Sequence, residues 1–90
     1  MVKLYQVYDT VGQNVLGPII TVKHDAAAVR IFTEALKDQK TALAQHPQDY
    51  VLLYLGTQDD DTGVIVSEMP KTVLTGKQWK DMQGDGAPSE

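Results

Sequence analysis

Tyr50-Val51-Leu52-Leu53-Tyr54-Leu55 is the stretch on which the fold turns. Six consecutive apolar or aromatic residues give a strand both faces of which seek cover, which predicts a central position in a sheet. Gly56 ends the dense part, and Asp59-Asp60-Asp61-Thr62-Gly63 follows as a tight turn, with Gly63 able to supply the left-handed residue of a short hairpin. Val64-Ile65-Val66 then returns as a second strand, which Met69-Pro70 is expected to break. Beyond it, Val73, Leu74 and Trp79 point to one more short packed element, strand or helical turn.

Moving toward the N-terminus, His46-Pro47 shapes the entry to the central strand, because a residue before proline resists the helical conformation. A helix that must cover the sheet begins at Asp25, with Lys37 and Lys40 near its end. Asp25 is read as its N-cap, and Ala26-Ala27-Ala28 as an easy first turn. Val29, Phe32 and Leu36, with Ala28 and Ala35, make an apolar stripe at helical spacing. Ala42-Leu43-Ala44 either extends this helix or forms a turn of its own. Upstream, Val2 to Asp9 alternates as a strand, with Lys3, Tyr5 and Val7 on one face and Leu4, Gln6 and Tyr8 on the other. A second strand spans Val15 to Val22, where Gly17-Pro18 marks an edge, a bulge or a bend. The expected fold is α+β: a small antiparallel sheet of about four strands in the order strand-strand-helix-strand-strand, with one helix packed across one face. Residues 1–82 form a single domain and residues 83–90 a flexible C-terminal tail. The face away from the helix is expected to keep some of the tyrosines and lysines, and a binding surface to lie there or on a sheet edge.

Composition narrows the chemistry. The chain has 90 residues, 42% hydrophobic and 22% charged, room for one domain with a modest core. With no cysteine there is no disulfide, thiolate metal site, iron–sulfur cluster or cysteine nucleophile. No apolar run approaches the ~18 residues of a membrane span, and the start lacks the long apolar region of a signal peptide. Eight basic residues against twelve acidic ones leave a formal charge of -4, which argues against coating nucleic acid by bulk charge. The acidity is local. Residues 1–58 hold five cations (Lys3, Lys23, Arg30, Lys37, Lys40) and five acids, whereas six acids lie in the Asp59–Asp61 turn and the last ten residues.

Each chemical candidate has a plainer alternative. Asp59-Asp60-Asp61 could hold a hard cation or be a solvated turn; it lacks the spaced ligands of a calcium loop. His24 and His46 have no activated nucleophile or metal-ligand spacing beside them, and no glycine-rich phosphate loop is present. The reading is therefore non-enzymatic, with no cofactor and no metal. Tyr5, Tyr50 and Tyr54 could stack unpaired bases or pack in the core; Tyr50 and Tyr54 share a face of their strand. Lys71, Lys77 and Lys80 flank Trp79, a basic segment with an interleaved aromatic suited to a nucleic-acid backbone, or simply solvated lysines around a core cap. With Lys3, Lys23 and Arg30 these complete the candidate nucleic-acid-binding set.

Several blocks resemble one family. Met1-Val2-Lys3-Leu4-Tyr5 with Val7-Tyr8-Asp9, Pro18, Asp25 leading into Ala28, Arg30 and Phe32, His46-Pro47-Gln48-Asp49-Tyr50, Leu53, Leu55-Gly56 and Asp59-Asp60-Asp61-Thr62-Gly63 are similar to the small nonstructural protein of gokushoviruses, single-stranded DNA phages of the Microviridae. The resemblance covers about two thirds of the chain and stops at Pro70. It implies a DNA-binding or replication protein, made in the bacterial cytoplasm and absent from the mature particle, acting in phage DNA synthesis or its coupling to packaging. It carries no catalytic residue. The partners in view are single-stranded DNA or, for a homo-oligomeric adaptor, a second copy and a host replication factor or phage assembly intermediate.

Overall fold

The computed structural model describes residues 1–86. Four antiparallel strands, β1 (Val2–Asp9), β2 (Asn14–Val22), β3 (Tyr50–Gln58) and β4 (Ile65–Thr75), form one sheet in the order β2-β1-β3-β4. The expected α+β class and four-stranded antiparallel sheet are present, and β3 is central. Helix α1 (Asp25–Lys37) lies across one face. The core sits between them: Tyr5, Tyr50 and Leu52 from the sheet, Ala28, Phe32 and Leu36 from the helix, and Leu43 from a short second helix beyond it.

The expectation of a single helix is corrected. Ala42–Gln45 is a separate short helix, α2, capped by Thr41, whose Oγ1 accepts from the Ala44 N–H at 3.2 Å. A third helix, α3 (Gly76–Gly86), follows β4. Thr75 and Gln78 set its start reciprocally: the Thr75 Oγ1 accepts from the Gln78 N–H at 2.9 Å, and the Gln78 Oε1 accepts from the Thr75 N–H at 3.0 Å. The segment around Val73, Leu74 and Trp79 is thus the end of a strand plus the opening of this helix. Residues 83–86, read as the start of the tail, belong to α3, and residues 87–90 lie outside the described residues.

Three further expectations are corrected. Asp25 is not the N-cap; His24 holds that position without a side-chain hydrogen bond, and Asp25 stands in the first turn. Its carboxylate accepts instead from the Tyr5 hydroxyl, a partner twenty residues away. Met69-Pro70 does not break the last strand, because β4 continues through it to Thr75. The ladder absorbs the proline as a bulge: Gly56 pairs with Ser67 and Tyr54 with Lys71, so Glu68, Met69 and Pro70 stand opposite Leu55 alone. On the other edge, Gly17, Pro18 and Ile19 stand opposite Gln6, whose Nε2 donates to the Gly17 carbonyl at 2.6 Å. Last, of the tyrosines and lysines expected on the open face, Tyr8 is there, but Lys3 and Lys71 of the strands stand on the helix side. Tyr5, Tyr50 and Tyr54 also lie on the helix side.

Candidate functional site

Where α1 begins, it leaves part of the sheet uncovered beside β3 and β4. Lys3 of β1, Tyr54 of β3 and Glu68, Lys71, Thr72 and Val73 of β4 line, with Asp25 of α1, a pocket of about 470 Å³. Register places them there. Tyr54 pairs with Tyr5 on one side and Lys71 on the other, so the three side chains share the helix-side face. Lys3 lies two residues from Tyr5 and joins the same face.

The aromatic residue lining the pocket is Tyr54, with the buried Tyr5 behind it. The Tyr5 and Tyr54 rings meet edge to face, with centroids 5.5 Å apart and planes at 62°. Tyr5 is fully buried and its hydroxyl donates to Asp25. Burial, then the hydrogen bond to Asp25 and that residue's charge, push the Tyr5 phenol above the ordinary tyrosine range. Tyr54 is half-buried, and its hydroxyl donates to Glu68 at 3.2 Å. Its phenol is also raised, by desolvation first and then by the Glu68 charge and hydrogen bond. Both tyrosines are therefore fixed neutral donors.

The rim is charged and balanced. The Lys3 amine lies 3.8 Å from Asp25, and the Lys71 amine 3.6 Å from Glu68. Both pairs are exposed, so each contributes little to stability and leaves its amine available to an incoming anion. Asp25 and Glu68 were missed by reasoning from sequence. Asp25 has the appearance of a cap, and only the pairing of Tyr54 with Lys71 across a bulge reveals the position of Glu68.

The remaining candidates do not converge on this pocket. Tyr50 is buried at the far end of the core, its phenol raised by desolvation and by the charges of Asp9 and Asp49. Arg30 is exposed on α1, 3.4 Å from Glu34. Lys77 sits on α3, 3.2 Å from Asp81, while Trp79 packs half-buried on the core and Lys80 is exposed. Lys23 lies past the end of β2, where its charge reaches Asp60. In the Asp59 turn, the Asp59 carboxylate accepts from the Asp61 and Thr62 N–H groups at 2.8 and 3.2 Å. Among the described residues, no group of three or more histidine, aspartate or glutamate side chains is placed to hold a metal ion. A second, apolar cleft of about 240 Å³ runs between β2 and the helices, with Leu16, Pro18, Ile31 and Leu43 in its lining.

Sheet, helices and pocket define a small α+β domain with a charged, tyrosine-lined recess at one end of its sheet. The chain belongs to the phage ORF5 protein family, whose profile matches residues 2–79, and is thus a phage protein. No curated protein and no solved structure matches the sequence.

Proposed function

We propose that this is a non-enzymatic accessory protein of the gokushovirus type. It binds single-stranded DNA during phage DNA replication, or in its coupling to packaging, in the cytoplasm of the bacterial host. The observation that carries this reading is the convergence of Lys3, Tyr54 and Lys71 on one pocket. A half-buried phenol offers its ring edge to a base, and the two flanking amines can trade weak carboxylate partners for phosphate. The pocket as a whole is neutral, which suits a transient accessory contact rather than continuous coating of the strand.

Anisotropy of a labelled single-stranded oligonucleotide, at low and at physiological salt, tests the reading. Binding is expected at low salt, weakened about tenfold or more by Tyr54→Ala, in line with the ~1–3 kcal/mol of a base–aromatic contact. Absence of binding at low salt, where phosphate contacts are strongest, overturns it.

A further inference from the structure

None of the charged residues within the four strands stands on the sheet face turned away from α1. The charged residues within the strands all stand on the helix side: Lys3 pairs with Val22, Asp9 with Tyr50 and Lys71 with Tyr54, and Glu68 accepts from Tyr54. Along its centre the open face presents Leu4, Tyr8, Val51 and Leu53, with uncharged polar residues such as Gln6, Thr21, Thr72 and Thr75 around them. No helix covers it, yet Leu4 is only 5% exposed. An antiparallel sheet with one wet face ordinarily alternates apolar inward and polar outward. Here, in a chain in which 22% of residues are charged, the strands place none on the wet face.

We infer that a second copy of this chain seats on this face, the two sheets stacking about 10 Å apart. The charge-free surface suits its own copy. Each chain carries -4 overall, but two copies meeting here bring no like charges into opposition, and depletion of charge is the mark of an interface core. Phosphate finds no cation on the same surface. Strand pairing at the edges is a poor route to association, because both edges are bulged and carry a proline, Pro18 in β2 and Pro70 in β4. The face approaches the size required. Four strands at about 4.8 Å spacing and some eight residues at about 3.3 Å rise give roughly 500 Å² in projection, and more along the relief of the side chains. The projected area lies just below the about 600–1,000 Å² per partner of specific interfaces. The dimer is therefore expected to form in the micromolar range rather than to be permanent.

Sedimentation of the full chain from low micromolar to near-millimolar concentration reads this directly. The expected result is a mass rising from the 9.9 kDa of one chain to twice that value; a monomer throughout overturns the inference. Leu53→Lys places a charge at the centre of the face and is expected to weaken the dimer about tenfold or more. Thr21→Glu does the same from an exposed position where folding is not at risk, and circular dichroism confirms that each variant is folded. Ile31→Glu, on the opposite side of the molecule, is expected to leave association unchanged. A folded Leu53→Lys and Thr21→Glu pair that still dimerise, or an Ile31→Glu chain that alone does not, overturns the assignment to this face.

Discussion

Tyr5 shows how a single residue can be read correctly for its element and still be placed in the wrong role. Its alternation with Leu4 and Gln6 puts it on the helix side, where the fold needs it, but the side chain is 0% exposed and so is closed to stacking. Its hydroxyl is fixed on Asp25 instead. Tyr5→Phe is therefore expected to cost about 1 kcal/mol in urea unfolding, the net worth of one hydrogen bond. The raised phenols also give stability a pH dependence of definite sign. Below the ordinary tyrosine value of 10.0, folded and unfolded chains hold the same phenol protons. Above it the unfolded chain ionises first, so stability falls as pH rises from 10.0 through the higher folded values of Tyr5, Tyr50 and Tyr54. Unfolding midpoints measured from pH 8 to 11 should fall in the upper part of that range, and less steeply in Tyr5→Phe. Gly56 is a second residue whose role is local. At φ +146 it brings the β3 backbone against β4, and a Cβ there would stand 2.2 Å from the Val66 carbonyl oxygen. Gly56→Ala should destabilise the domain by about 2–3 kcal/mol or prevent folding, as thermal melts would report.

Elements were legible where a repeat ran long enough. The stripe Ala28, Phe32, Leu36 identified α1 because a helix must bury one side, and the buried residues of that helix are those three. Phe32→Ala should cost about 3–4 kcal/mol, a large share of the ~5–10 kcal/mol of a small domain. Its neighbour Ile31, 44% exposed, should cost under about 1 kcal/mol when changed to alanine; paired melts of the two variants check the difference. Legibility failed where long-range pairing overrode local signals. Pro70 looks like a strand end, and it is one for a central strand. At an edge, a bulge of three residues against one absorbs it, and edge position depends on strand order, which no local pattern encodes. Asp25 likewise carries a good cap signature, but a buried hydroxyl across the core competes for its carboxylate. Helix α3 did leave a signal, since Thr75 and Gln78 stand at capping-box spacing ahead of Trp79, one turn before the core needs it. The short apolar content of that segment hid it.

At the scale of the whole molecule, charge is segregated rather than scarce. The strands place none on the open sheet face, the Asp59–Asp61 turn concentrates acid at one end, and lysines punctuate the helix side. Sequence alone established that the acidity was local, but it could not bring Lys3, Tyr54 and Lys71 together, because their meeting depends on register across three strands. This arrangement makes a quantitative demand on any nucleic-acid binding. With the pocket amines of Lys3 and Lys71 as the phosphate contacts, about two counterions are displaced, and the logarithm of the binding constant should fall against the logarithm of salt with a slope of about -1.4. A slope several times steeper would require a basic surface that the fold does not assemble. Lys71→Ala should reduce the slope by about 0.7. Lys77→Ala, on α3 and paired with Asp81, should leave it unchanged. If instead the Lys77 and Lys80 variants flatten the slope while Lys71→Ala does not, the strand runs along α3 and Trp79, and the pocket between β3, β4 and α1 is not where DNA is held.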